Sequence, residues 1–247
     1  MSLKKYLLEE FAALKDPYCV SGIITKSAQV YPLGSDTKVL STIFELISRP
    51  VVYRVAERLG LTVVEPSVQN HYPDFTLHKN EGDNKKIAVD VKTTYRVAAG
   101  DRFSYTLGGY TSFIRPGNEG KNIVYSFDKY AEHWVIGFVY ERVATKKSAA
   151  EHVYKLSELE NIPLPFKAVD MFVEEKWRIA SDRAGSGNTT NIGSIDGTMD
   201  DFRAGKGPFK SEEEFLSYWR GYGRTSADRG NYKNIGEFRA QLKKARR

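Results

Sequence analysis

Tyr72-Pro73-Asp74-Phe75-Thr76-Leu77-His78 and, after a polar turn, Lys86-Ile87-Ala88-Val89-Asp90-Val91-Lys92 decide how this chain folds. Along the second segment the two-residue period of a strand puts Ile87, Val89 and Val91 on one face and Asp90 and Lys92 on the other. The apolar side chains go to a core and the charges face a cleft. Fifteen residues separate Asp74 from Asp90. Antiparallel pairing of the two strands through the Asn80 to Asn84 turn carries the Asp74 carboxylate to the Asp90 side. Two carboxylates and one amine then meet.

That trio suits hydrolysis of a phosphodiester. Mg²⁺ takes near-octahedral oxygen coordination, with one or two carboxylates, waters and substrate phosphate oxygens as ligands; Mn²⁺ is expected to substitute for it. The metal lowers the pKa of an attacking water and polarises the phosphoryl group, while a nearby cation stabilises the developing charge. Asp74 and Asp90 are the expected metal ligands and Lys92 the expected cation, read as an electrostatic stabiliser in preference to a general base. Taken alone, Pro-Asp, a gap and Asp-x-Lys is short enough to arise by chance. The bland alternative is a strand-capping Asp74 beside an exposed Asp90–Lys92 pair, worth about 0 to 1 kcal/mol.

Upstream, Leu3 to Leu14 reads as a helix with Leu3, Leu7, Phe11 and Leu14 on one stripe, expected to pack on a partner or a second protomer. Ser35 or Asp36 caps a further helix through Val39, Leu40, Ile43, Phe44 and Ile47, which Pro50 should kink or end before Val51 to Leu59; Gly60 closes it. Its polar stripe of Lys38, Ser41, Thr42, Glu45 and Arg49 offers Glu45 as a possible third carboxylate for the metal, against the duller alternative of pairing with Arg49. Strands are expected near Leu61 to Glu65, Asp74 to His78, Lys86 to Thr93, Phe103 to Leu107 and Trp134 to Val143. The fold class is α/β.

Of 247 residues 41% are apolar, enough for one domain with an appended subdomain in preference to two independent ones. No apolar run approaches the roughly 18 residues of a membrane helix. Met1-Ser2-Leu3-Lys4-Lys5 leads into a charged stretch with no signal-peptide core, so a cytoplasmic location is expected. The lone Cys19 excludes an intrachain disulfide and a cysteine-cluster zinc site, and is expected to be a small buried side chain. The four histidines make no metal-ligand pattern.

Charge is uneven. From Arg203 to Arg247 twelve Lys and Arg face five Asp and Glu, so the tail carries +7 of a net +6 and the rest of the chain −1. Lys206, Lys210, Arg220, Arg224, Arg229, Lys233 and Arg239 interleave with Tyr218, Trp219, Tyr222 and Tyr232, a mixture able to grip phosphates while anchoring on a core. For any single one of these cations a solvated surface is the better reading; the aggregate supports nucleic acid. The glycine-punctuated segment Asp182 to Gly193 lacks the Gly-Lys-[Ser/Thr] ending of a P-loop, so no nucleotide cofactor is expected. Its glycines permit close backbone approach to base edges, an Asn amide pairs bidentately with adenine, and a Thr methyl meets the thymine methyl. The loop Ser67 to His71, before the strand of Asp74, is rich in amides able to contact the minor groove or the sugar-phosphate backbone.

Longer stretches around these residues carry a family likeness: Gly34-Ser35-Asp36-Thr37-Lys38, Ile43-Phe44-Glu45-Leu46, Gln69-Asn70-His71-Tyr72-Pro73-Asp74-Phe75, Lys92-Thr93-Thr94-Tyr95, Leu107 to Arg115, Lys121 to Tyr125, and Ala184 to Ser194. In them the chain resembles the EcoRV-type type II restriction endonucleases of the PD-(D/E)xK nuclease superfamily, from near Gly22 to beyond Arg224. The resemblance implies a restriction-endonuclease-like mixed β-sheet core flanked by helices, with a DNA-binding subdomain and a basic C-terminal region. It implies one domain over 1–247: a dimerisation part over about 1–35, a catalytic core over 36–180, and a recognition loop with a C-terminal DNA-binding part over 181–247.

By the same resemblance Gly185, Gly187, Asn188 and Thr189 read bases, and the palindrome GATATC is cut centrally to blunt ends with 5′-phosphates. Contacts to the backbone or minor groove are implied for Lys38, Gln69, Asn70, His71, Thr93, Thr94, Tyr95, Ser112, Lys121, Arg224, Thr225, Ser226 and Arg229. The chain departs from the family at Val68-Gln69, where consecutive glutamines are usual, and at Ser194 to Thr198, which is less basic. A palindromic site is matched by a two-fold symmetric protein, so a homodimer on double-stranded DNA is expected. The alternatives are a repair or junction nuclease of the same core that cuts by DNA structure, a non-catalytic DNA-binding protein, and a small-molecule enzyme using the same carboxylates.

Overall fold

The computed structural model describes residues 2–96, 101–109, 111–115, 117–144, 151–185, 190–223 and 232–245. Its centre is a five-stranded mixed sheet in the order β3 (Thr62–Val64), β4 (Phe75–His78), β5 (Lys86–Tyr95), β7 (Tyr130–Arg142), β9 (Phe166–Glu175). β4 pairs antiparallel with β5, with Phe75 opposite Val89 and Leu77 opposite Ile87. β5 runs parallel to β7, which is antiparallel to β9. A mixed sheet flanked by helices is the expected architecture.

The alternation along β7 explains the layers. Trp134, Ile136, Phe138 and Tyr140 join one core with Phe75, Leu77, Val89 and Val91, beneath helices α1 (Leu3–Ala12) and α2 (Thr37–Leu59). Val135 and Val139 join the other with Ala88 of β5 and Phe172 of β9. Between those two valines Gly137 leaves room for the Phe172 ring, which a Cβ there would strike. Phe44 of α2 stacks on Phe138 at 4.8 Å and on Tyr140 at 5.4 Å, fixing the helix to the sheet.

Three details of these helices differ from the sequence reading. α1 ends at Ala12, and its stripe Leu3, Leu7 and Phe11 is buried in the chain's own core, with Glu10 paired to Arg54 and Arg58 of α2. Within the chain it packs on α2 and β9. α2 runs unbroken through Pro50, which removes one helical donor, because Leu40, Phe44, Val51, Val52 and Val55 keep one continuous buried stripe on either side of it. Asp36 caps α2 by accepting from the Lys38 and Val39 N–H groups, and Gly60 ends it in the left-handed region at φ 65°.

On the second core lies a small sheet of β10 (Ala180–Ala184), β11 (Asn191–Ser194) and β6 (Thr106–Gly109), with helices α3 (Lys176–Ile179), α4 (Met199–Ala204), α5 (Glu212–Gly221) and α6 (Ile235–Ala245). The strand expected over Phe103 to Leu107 begins at Thr106, with Phe103 bridging only Gly197. Tyr218, Trp219, Tyr232 and Phe238 are buried here, so the aromatics of the basic tail form core. Among the described residues three of its cations are engaged within the chain: Arg203 with Asp170 at 3.6 Å, Lys206 with Asp201 at 2.8 Å and Arg239 with Glu214 at 2.7 Å. A third sheet, β1 (Gly22–Ile24), β2 (Gln29–Pro32) and β8 (Tyr154–Lys155), stands apart. Cys19 is exposed, not buried as its residue type suggested. Among the described residues no helix is long and apolar enough to cross a membrane.

Candidate active site

Ala88, Asp90 and Lys92 share one face of β5. Ala88 is sealed in the second core, whereas Asp90 and Lys92 line a cleft of about 580 Å³ between the main sheet and the small one. Asp74 stands just before β4, and its Oδ2 accepts the Val91 N–H at 2.6 Å. Antiparallel pairing therefore brings Asp74 to Asp90 as the residue spacing predicted. Lys92 Nζ lies 2.7 Å from Asp90 Oδ2. This pair is not the exposed one of the bland alternative, for Asp90 is only 3% exposed.

Electrostatics divide the two carboxyls. Burial and the neighbouring Asp90 charge push Asp74 up to about 7. Burial also works to raise Asp90, but the ammonium groups of Lys92 and Lys176 outweigh it and hold Asp90 below the usual carboxylate range. Burial would lower Lys92; Asp90 and Asp74 overcome this and keep it cationic. Glu45, on the cleft-facing stripe of α2, lines the same space and is raised chiefly by burial. Arg49 pairs with Glu65 at 2.7 Å instead of with Glu45.

A divalent cation fits this donor set. Asp90 Oδ2 is buried without a hydrogen bond of good geometry. Burial and the Asp90 charge keep the neighbouring Asp74 from easy ionisation, and a dication would offset both. Among the described residues no group of three or more His, Cys, Asp or Glu is arranged as a metal cage. Mg²⁺ requires only one or two carboxylates, drawing its other ligands from water and phosphate.

Gln69, Asn70, His71 and Ser112 line the cleft with the acidic pair. Thr93, Thr94 and Tyr95 continue β5 past Lys92 and, with Lys38, line an adjoining recess of about 270 Å³; Ser41 and Thr93 share a hydroxyl hydrogen bond of 2.7 Å there. Lys121 is exposed next to Asn122, a residue of the cleft wall. At the end of β10 the Gly185 N–H donates to Asn191 O at 2.7 Å, and Thr190 and Asn191 reach the cleft edge. The other base-reading candidates, Gly187, Asn188 and Thr189, and the tail candidates Arg224, Thr225, Ser226 and Arg229, lie outside the described residues.

Sequence reasoning missed Lys176. It opens α3 inside the charged run Glu174-Glu175-Lys176-Trp177-Arg178, which reads as a solvated surface, yet it is 3% exposed and its Nζ is 4.0 Å from Asp90 Oδ2. Burial lowers it to about 8. Its ammonium sits 3.9 Å from the centroid of Tyr72, whose hydroxyl meets His133 Nδ1 at 2.7 Å. His133 is buried and held down to about 3 by that burial and by the Lys176 charge.

A mixed sheet presenting two aspartates and a lysine from adjacent strand ends into a polar cleft is the frame of a metal-dependent nuclease. The model of the family described as restriction endonuclease EcoRV matches residues 14–243. The chain belongs to this family of type II restriction endonucleases. The type II restriction enzyme EcoRV of Escherichia coli is 55% identical over 248 residues, covering 100% of both chains. Among solved structures, the NlaIV restriction endonuclease aligns with 99% of this chain and 89% of its own at a TM-score of 0.39 and 13% identity.

Proposed function

We propose that this enzyme makes Mg²⁺-dependent double-strand cuts in DNA at a palindromic site, GATATC, leaving blunt ends. The observation that carries the reading is the convergence of Asp74, Asp90 and Lys92 on one cleft in a chain 55% identical to EcoRV. Asp74 and Asp90 would hold the metal, with Glu45 close enough to lend a third carboxylate. Bound there, Mg²⁺ or Mn²⁺ would polarise the scissile phosphate and make its attacking water more acidic. Lys92, kept charged by the two aspartates, stabilises the negative charge that builds on the phosphoryl oxygens. Attack of water at phosphorus and breakage of the P–O3′ bond leave a 5′-phosphate and a 3′-hydroxyl.

DNA would lie along the cleft and the recess beside it. Lys38, Thr93, Thr94 and Tyr95 hold one stretch of backbone, while Gln69, Asn70, His71, Ser112 and Lys121 hold the backbone or minor groove near the scissile step. The loop carrying Gly185, Gly187, Asn188 and Thr189 reads bases from stems that end at the cleft edge, and Arg224, Thr225, Ser226 and Arg229 add contacts from the tail. The enzyme acts as a cytoplasmic homodimer, one active site per strand. Support for the dimer is the exposed apolar surface of Ile23, Ile24 and Tyr31 on β1 and β2, with Leu156 and Leu159 just after β8. On this reading 1–35 serves dimerisation, 36–180 catalysis and 181–247 recognition.

Digestion of a sequenced, unmethylated plasmid with Mg²⁺, followed by sequencing of the fragment ends, tests the reading. Blunt ends within GATATC support every part of it. Discrete ends elsewhere keep the nuclease and discard the site. Fragments without fixed ends favour a structure-specific nuclease.

A further inference from the structure

Lys176 is a second cation on Asp90, and the trio of Asp74, Asp90 and Lys92 does not account for it. Its Nζ is 4.0 Å from the same Oδ2 that Lys92 approaches at 2.7 Å. Unlike Lys92, which is partly accessible, Lys176 is 3% exposed and belongs to another element, reaching Asp90 from the far end of β9. Aromatic rings form its seat, Tyr72 at 3.9 Å and Phe113 at 5.9 Å from the ammonium, and His133 fastens the Tyr72 hydroxyl. Above it the backbone at Gly108 carries no side chain, and a Cβ there would come within 3.9 Å of Nζ. A buried lysine is costly unless it is paired, and Asp90 is the carboxylate that pairs with it.

We propose that Lys176 is a positioning residue that holds the Asp90 carboxylate and, through its charge, weakens the intrinsic affinity of the Asp74–Asp90 pair for a divalent cation. The inference rests on the proposed metal site and concerns a property of that site apart from cleavage. Two like charges on one carboxylate oxygen compete, and inside a protein the competition is far stronger than in water. Removing Lys176 leaves Asp90 with a single ammonium partner and a larger share of its charge for the metal.

Mn²⁺ alone is the probe, its binding to the DNA-free protein followed by electron paramagnetic resonance. Lys176→Met keeps the length and apolar stem of the side chain, and Lys176→Gln keeps a polar end; if one variant fails to fold, the other carries the test. Mn²⁺ affinity is expected to rise at least about fivefold in the folded variants. A merely structural lysine would leave affinity unchanged or lower it, and either result overturns the proposal. Wild type and Asp90→Asn are measured alongside. Wild-type binding that Asp90→Asn abolishes establishes the site; equal binding or none by both proteins removes the metal reading itself, and this inference with it.

Discussion

Asp74 Oδ2 accepts the backbone N–H of Val91 at 2.6 Å, across the gap between the start of β4 and the outgoing end of β5. Val91 stands between Asp90 and Lys92, so this one bond ties the first carboxylate to the strand that carries the second carboxylate and the cation. Because β5 also pairs with β7 along its whole length, the trio is mounted on the most extensively bonded part of the fold. Such preorganisation is what electrostatic catalysis needs.

Lys92→Met should lower the single-turnover cleavage rate by about a hundred- to a thousandfold, the range seen when one preorganised charge-stabilising group is removed. Binding of cognate duplex in Ca²⁺, measured by gel shift, should weaken far less. Equal losses in binding and rate would make Lys92 a DNA anchor instead.

Glu45→Gln should act through the metal. Glu45 lines the cleft, and among the described residues it has no backbone donor comparable to the Val91 N–H on Asp74. Cleavage at saturating Mg²⁺ is expected to fall by less than about tenfold, with the Mg²⁺ concentration at half-maximal rate shifted upward. Titrating Mg²⁺ against rate separates the two effects.

His133 gives the fold a dependence on acid. Burial, with the Lys176 charge, lowers its pKa from 6.5 to about 3, so between those values the unfolded chain takes up a proton that the native protein refuses. Its contribution is fully present above pH 6.5 and is lost as pH falls toward 3, a matter of a few kcal/mol (roughly 3 to 5). Asp74 and Glu212, raised to about 7, work in the opposite sense. The comparison is therefore between proteins: urea unfolding at pH 7 and pH 5 should show a smaller acid loss in His133→Asn than in wild type.

Phe44→Ala should cost about 3 to 5 kcal/mol, since the ring is fully buried against Phe138, Tyr140 and Phe166. Urea unfolding should show a lower midpoint at an unchanged slope. A loss below about 1 kcal/mol would mean that α2 is not held to the sheet by this contact.

The sequence was most legible where one short-range rule governed. Alternation along β5 placed Asp90 and Lys92 on the cleft side, and Asp36 and Gly60 marked the ends of α2. Pro50 does not end α2, because a local rule about one missing donor is overridden by a stripe of buried side chains that continues on both sides of it. The amphipathic stripe of α1 was visible, but periodicity does not say which surface a stripe covers, and here it is the chain's own core. Lys176 was illegible for a deeper reason. Its neighbours are charged, and only the meeting of α3 with Asp90 of β5 and with Tyr72, brought about by long-range packing, turns a surface-looking lysine into a buried partner of Asp90. Of the small sheet the sequence predicts only the strand around Leu107, because β10 and β11 are five and four residues long and β11 meets β6 across a large sequence separation.

Asp74 and Asp90 are proposed to hold the metal used in DNA cleavage. That role is tested most directly by single-turnover cleavage of a GATATC duplex with Mg²⁺ and with EDTA, by wild type and by Asp90→Asn, an isosteric change that removes the charge. Cleavage by wild type is expected with Mg²⁺ and not with EDTA, at a rate at least about a thousandfold above that of a folded Asp90→Asn. Cleavage in EDTA, or a folded Asp90→Asn that cuts at the wild-type rate, would contradict it.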